Sequence, residues 1–221
     1  HIRAWLWPCL DVAVGSGCVV IRVLGPAYGS RVAYSGYGPA KATAPERPAA
    51  SDLSTVYRCD LLPAEARVYG VLGDPVAHSR GYLLHNRAFG YIDFDGVYIP
   101  FRAENAAEFL GVIPEAINLH GLSVTIPHKP EALRWTSLRS DGAERIGAAN
   151  TLTLTPGGWH ADNTDLPAVF ESIKAVADAQ HFHLMGASAL VLGSGGTTRA
   201  VGVALTLLGC RVTLAARNLD K

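Results

Sequence analysis

Two residues capable of proton chemistry stand at the ends of short polar motifs. Lys129 closes Ser123-Val124-Thr125-Ile126-Pro127-His128-Lys129, and Asp165 closes Asp162-Asn163-Thr164-Asp165, thirty-six positions further on. An ammonium beside a reacting oxygen donates a proton to it and stabilises negative charge developing there. A carboxylate nearby orients an ammonium and favours its charged form. Such a pair suits interconversion of an alcohol and a ketone, where hydride leaves carbon and a proton leaves oxygen. Taken alone, the two would equally be a solvated lysine and an aspartate capping a helix, the commoner fate of both types. Thr125 adds a hydroxyl near Lys129, and Ile146-Gly147-Ala148-Ala149-Asn150-Thr151 leads through small residues to the Asn150 amide.

A second feature is Gly193-Ser194-Gly195-Gly196-Thr197, directly after the short apolar run Ala189 to Leu192. A strand, a glycine turn and a helix together hold a pyrophosphate, because small residues admit the phosphates and the helix N-terminus offers free N–H groups. Thr198 replaces the third glycine of the usual fingerprint, so the loop alone would also serve as a plain tight turn. Thr197 to Leu208 has helical character, Gly209 sits where a C-cap belongs, and Arg211 to Ala216 is a second strand. That strand ends in Ala215-Ala216-Arg217-Asn218, without the carboxylate that NAD-preferring sites carry. Arg217 suits a 2′-phosphate, so the expected cofactor is NADP; a solvated strand-end charge is the alternative.

The elements that must position these groups alternate. Val68 to Leu72, Val97 to Phe101, Gly121 to Ile126 and Asn150 to Leu154 read as strands separated by helical patterns. Leu166 to Ala179 places Leu166, Val169, Phe170, Ile173 and Val176 on one helical face. Fold class is therefore α/β, with an α/β domain at 67–165, an inter-domain helix and linker at 166–187, and the start of a Rossmann-type domain at 188–221. The 221 residues carry 19 basic and 19 acidic side chains, so net charge points to neither nucleic acid nor an anionic membrane. Cys9, Cys18, Cys59 and Cys210 are scattered and no HExxH pattern accompanies the histidines, so no metal is expected. A reducing cytoplasm is the default compartment. The apolar run Val12 to Ile21 is about half a membrane span, and a chain opening at His1 reads as an internal fragment.

Several motifs in one order resemble the shikimate dehydrogenase family. Gly70-Val71-Leu72-Gly73-Asp74-Pro75-Val76-Ala77-His78-Ser79 is similar to that family's opening strand and substrate turn. Leu84-His85-Asn86, the TIPHK, GAANT and NTD segments, and Gly193 to Ala200 follow in the family's order, over about 155 residues. The resemblance implies that Ser79 binds the substrate carboxylate, and that Thr125 and Asn150 contact carboxylate or ring hydroxyls. It implies that Lys129 and Asp165 flank the hydroxyl that becomes a ketone, with Gly193, Ser194, Gly195, Gly196, Thr197 and Arg217 at the cofactor. The reaction implied is reversible NADPH-dependent reduction of 3-dehydroshikimate to shikimate, within aromatic amino acid biosynthesis. A non-catalytic metabolite sensor is the competing reading, and retention of both Lys129 and Asp165 favours the enzyme.

The chain departs from the family pattern in places. Gly81 stands where a second substrate-binding serine is usual, which removes a hydrogen bond worth about 0.5–1.5 kcal/mol. The vacated space suggests quinate as an alternative substrate. Leu166-Pro167 follows Asp165, and Ala216 replaces a usual asparagine. The chain ends at Lys221, soon after the second nucleotide-domain strand, so a truncated Rossmann-type domain is expected. Gly15 to Tyr57 resembles the C-terminal end of class I 3-dehydroquinate dehydratases, which are (β/α)8 barrels. Arg22 takes the place of their carboxylate-binding arginine and Thr43-Ala44-Pro45 that of their closing loop, with Glu46-Arg47 departing from it. Residues 1–66 are thus expected to be the end of a dehydratase-like domain, as in bifunctional fusions, without dehydratase activity; an unrelated leader is the alternative.

Overall fold

The computed structural model describes residues 18–36, 48–194 and 196–217. By packing, the chain forms two compact units, His1–His128 and Lys129–Lys221. The boundary lies inside the stretch read above as one substrate domain.

The first unit is built on three parallel strands in the order β2-β1-β3: β1 Arg67–Gly73, β2 Gly96–Arg102 and β3 Leu119–Val124. Two helices, α3 Gly81–Tyr91 and α4 Ala106–Ala116, make the crossovers, as parallel pairing requires. Val68, Leu72, Val97 and Ile99 are fully buried, which explains the near-continuous apolar runs in sequence. Each contributes about 1.5–3 kcal/mol of burial. A Cβ on Gly70 would collide with the Ile99 carbonyl and the Phe101 ring, so β1 and β2 meet at this register only around a glycine. Asn86 clamps α3 to β2: its amide donates to the Tyr98 carbonyl at 2.9 Å and accepts from the Tyr98 N–H at 2.8 Å.

The described upstream residues include the short α-helices α1 Cys18–Leu24 and α2 Ala50–Thr55. Val23 and Leu24 are buried, as are Leu53, Val56 and Tyr57. Arg22 is buried too, with its guanidinium Nε donating to the Tyr34 carbonyl. Thr43-Ala44-Pro45 and Glu46-Arg47 lie outside the described residues, as do Cys9 and the start of the Val12–Ile21 run.

The second unit opens with α5 Lys129–Trp135, followed by the two-residue strand β4 Leu138–Arg139 and α6 Asp141–Ile146. Strands β5 Thr151–Thr155 and β6 Gly158–Asp162 form an antiparallel hairpin, and β4 pairs parallel with β6. Helix α7 Asp165–Ala179 leads to β7 Ser188–Leu192, α8 Gly196–Leu207 and β8 Arg211–Ala215, with β7 and β8 parallel. Ala200 and Ala204 of α8 are small enough to sit directly on Ile146 and Leu166, with Val169, Phe170 and Val203 around them. Gly209, at φ +82°, closes α8: Cys210 N–H donates to Leu205 O and Gly209 N–H to Thr206 O, both at 3.0 Å. This is the cap expected from the sequence.

Three expectations need correction. The third strand ends at Val124, so Thr125 and Ile126 lie in the turn beyond it. The hairpin partner β6 was not anticipated, although Pro156-Gly157-Gly158 is a turn signal and Gly158 has φ +107°. On α7 the inward residue of the last turn is Ala177, while Val176 is 65% exposed. At the helical period Ala177 falls in the middle of the stripe set by Leu166, Phe170 and Ile173 and Val176 at its edge, so the small residue takes the packed place.

Candidate active site

Lys129 is the first residue of α5, and Asp165 the first of α7. Lys129 Nζ donates to Asp165 Oδ2 at 2.8 Å, with side chains 18% and 27% exposed. Neither is a solvated surface charge. Asp165 is not the helix cap either: Thr164 holds that position without a side-chain cap bond. The carboxylate turns instead to its partners, and Oδ1 accepts from Asn150 Nδ2 at 2.9 Å.

Asn150 is itself held on both sides. Its amide also donates to Thr164 Oγ1 at 2.9 Å, and its oxygen accepts from Thr164 N–H at 3.0 Å and Thr151 Oγ1 at 2.9 Å. The small residues before it earn their place in two ways. Gly147, at φ +71°, closes α6 in a left-handed conformation that a Cβ would strain. Ala149 N–H then donates to the Lys129 carbonyl at 2.9 Å, tying this loop to the start of α5.

Asn163, a residue to which sequence reasoning gave no role, fixes the arrangement from below. It is buried, its amide donates to Ala148 O at 2.9 Å, and its oxygen accepts from Asp165 N–H at 3.0 Å. The signal available was its type: an asparagine two residues before an aspartate favours a local turn of this kind. Asp162 Oδ1 accepts from Ser140 Oγ at 2.6 Å and from Asn163 N–H at 2.7 Å, continuing the network.

Within the first unit, Ser79 and Gly81 form the turn entering α3. Gly81 N–H donates to Ser79 Oγ at 3.3 Å. Thr125 lies just past β3, its N–H donating to Leu72 O at 2.9 Å, while His128 N–H closes the turn onto Thr125 O at 2.9 Å. A further group gathers here: Tyr98 OH donates to Ser123 Oγ at 2.9 Å, and the His85 ring stacks on Tyr98 at 4.1 Å. Burial pushes the Tyr98 hydroxyl up from its ordinary value, with the Ser123 contact opposing, so it stays protonated. The space beside Gly81 is smaller than expected from the missing serine. A Cβ there would stand 3.3 Å from the Tyr98 ring and 3.4 Å from Ser79 Oγ.

The glycine loop meets the physical requirements of a phosphate cradle. Gly193, at φ +119°, adopts a conformation that side chains rarely permit, and its N–H donates to Ala215 O at 2.8 Å. Ser194 and Thr197 are exposed, Gly196 opens α8, and Arg217 is exposed just past β8. Gly195 lies outside the described residues. The residues present thus fit a dinucleotide, with the α8 N-terminus for its pyrophosphate and Arg217 for a 2′-phosphate. Among the described residues no His, Cys, Asp and Glu cluster of metal-binding size occurs, and no helix is long and apolar enough to cross a membrane.

A strand, a glycine turn and a helix leading to a second parallel strand form the arrangement that holds a dinucleotide pyrophosphate. Residues 71–152 match the shikimate dehydrogenase substrate binding domain. A shikimate dehydrogenase (NADP(+)) of Anaeromyxobacter sp. (strain K) is 38% identical over 160 residues, covering 72% of this chain and 55% of its own. The chloroplastic bifunctional 3-dehydroquinate dehydratase/shikimate dehydrogenase of Arabidopsis thaliana is 28% identical over 225 residues, covering 97% of this chain and 37% of its own. The Thermus thermophilus shikimate 5-dehydrogenase, solved with NADP(H) and shikimate, superposes with a TM-score of 0.56 at 33% identity, over 70% of this chain and 57% of that one. Family, relatives and solved structures all support the shikimate dehydrogenase family. The chain spans about half the length of the curated shikimate dehydrogenases it matches.

Proposed function

We propose that this chain serves NADP-dependent interconversion of shikimate and 3-dehydroshikimate. The observation that carries the reading is the Lys129–Asp165 pair, held at 2.8 Å with Asn150 on the second carboxylate oxygen. Asp165 has both oxygens engaged by donors, which keeps it an acceptor and leaves Lys129 as the group with protons to give. In reduction Lys129 donates a proton to the oxygen formed from the ketone; in oxidation, once deprotonated, it takes that proton back. Asp165 orients the ammonium and balances its charge, and Asn150 holds Asp165. Ser79 and Thr125 bind the substrate's carboxylate and hydroxyls. Bound NADP supplies the acceptor or donor of hydride, with the Gly193–Thr197 turn and Arg217 as its contacts.

The functional division follows the sequence reading: substrate binding at 67–165, a linking helix at 166–187, and nucleotide binding from 188. Residues 1–66 belong to the end of a dehydratase-like domain, so an upstream dehydratase domain is the expected covalent partner. The 97% coverage by the Arabidopsis bifunctional protein supports this. The cytoplasm is the compartment inferred, as the default for a chain with four scattered cysteines.

Quinate is a second reading; it rests on the missing hydroxyl at Gly81 and not on free space, since a Cβ there would stand 3.3 Å from the Tyr98 ring. One assay tests both: absorbance of the reduced nicotinamide with shikimate and quinate, each against NADP and NAD. Turnover fastest with shikimate and NADP supports the main reading. Turnover only with quinate supports the second. Shikimate binding without turnover in any combination would favour a metabolite sensor.

A further inference from the structure

The geometry points to a brace outside the substrate domain: Tyr57 positions the turn carrying Ser79 by clamping Tyr82. The Tyr57 and Tyr82 rings stack at 5.6 Å with 8° between their planes. Tyr82 belongs to the first turn of α3, three residues after Ser79, and packs against the Val71, Val76 and Tyr98 cluster. The ring is therefore held between that cluster and Tyr57. Val76 also accepts from Ser79 N–H at 3.0 Å, so the same cluster supports the Ser79 backbone.

Tyr57 is a firm anchor because its own segment is pinned along its length. Tyr57 N–H donates to Asp52 O at 2.9 Å and Cys59 N–H to Leu53 O at 3.0 Å. Arg58 Nη2 donates to Phe94 O at 3.2 Å, and Asn118 Nδ2 to Glu65 O at 3.0 Å. Tyr57 is 3% exposed and lies upstream of the 71–152 stretch that matches the family domain. Residues of the upstream segment thus set the substrate turn, which makes Tyr57 a positioning residue. The inference rests on Ser79 being the substrate ligand, as proposed above.

The test compares Tyr57→Leu, which keeps apolar burial and loses the stack, with Tyr57→Phe, which keeps the stack. Val56→Ala, a loss of neighbouring burial, is the control. Shikimate affinity is measured by titration calorimetry on the full chain, well below each variant's melting temperature. Aromatic pairs contribute about 0.5–1.5 kcal/mol, so Tyr57→Leu should weaken shikimate binding about two- to tenfold, with Tyr57→Phe unchanged. Unchanged affinity in Tyr57→Leu, or equal weakening in Val56→Ala, overturns the brace. Should Tyr57→Leu not fold, Tyr57→Met replaces it with similar volume. Should the wild type not bind shikimate, the functional reading fails while the brace is still read by amide exchange over 79–84. That exchange should quicken in Tyr57→Leu and not in Tyr57→Phe; unchanged rates overturn the brace.

Discussion

Lys129 Nζ meets Asp165 Oδ2 at 2.8 Å, and neither group reached its place by being close in sequence. Each opens a helix, and the Asn150 loop bonds to both: Ala149 N–H to the Lys129 carbonyl and Asn150 Nδ2 to Asp165 Oδ1, each at 2.9 Å. The pair is thus a consequence of three backbone junctions meeting, and its function depends on all three.

Asn150→Ala should therefore damage catalysis without removing a reacting group. Freed from Asn150, Asp165 holds Lys129 less firmly, and turnover of shikimate should fall about ten- to a hundredfold, the scale of a lost charge-assisted hydrogen bond. Steady-state kinetics decide it. A variant with wild-type turnover would mean that Asn150 supports only the fold.

Gly81→Ser restores a hydroxyl beside Ser79. The new Cβ would stand 3.3 Å from the Tyr98 ring, so Tyr98 must move by a few tenths of an ångström. One added hydrogen bond should raise kcat/KM for shikimate about two- to tenfold. Unchanged kinetics in the variant would remove the idea that this position tunes the substrate.

Arg217→Ala should act on one cofactor only. Losing a guanidinium contact to the 2′-phosphate should raise KM for NADP about ten- to a hundredfold and leave NAD unaffected. Equal effects on both cofactors would return Arg217 to the role of a solvated strand-end charge.

Cys59 gives a chemical readout of the upstream segment. Burial pushes its thiol up to about 12. Thiolate is the reactive form, so alkylation of Cys59 at pH 8 in the native chain should be at least about a hundredfold slower than after denaturation. Peptide mapping after brief exposure to iodoacetamide measures this. Rapid native labelling would mean that residues 50–66 do not pack as described.

The strands of the first unit were legible because both faces are buried, which writes apolar runs into the sequence at Val68–Leu72 and Val97–Phe101. The Gly209 cap and the Gly193 turn were legible because positive φ selects glycine. Lys129 and Asp165 were singled out by type and motif, but their contact needed the junction with Asn150, a tertiary fact with no periodicity. Asn163 and Tyr98 were missed for a related reason. Both carry ordinary side chains whose roles depend on partners far along the chain, such as Ala148 for Asn163 and Ser123 for Tyr98. Strand β6 was missed despite its Pro-Gly-Gly turn, since its pairing with β5 gives it only partial burial.

The most direct measurement compares Lys129→Met with wild type in two assays on the same protein: shikimate binding by calorimetry and shikimate oxidation with NADP. Removal of a proton-transfer group should lower turnover about a hundred- to ten-thousandfold. Shikimate binding should stay within about threefold of wild type, because Ser79 and Thr125 carry it, methionine keeps the apolar stem of the lysine and Asn150 still engages Asp165. Turnover retained in Lys129→Met, with binding intact, would contradict the assignment of proton transfer to this lysine.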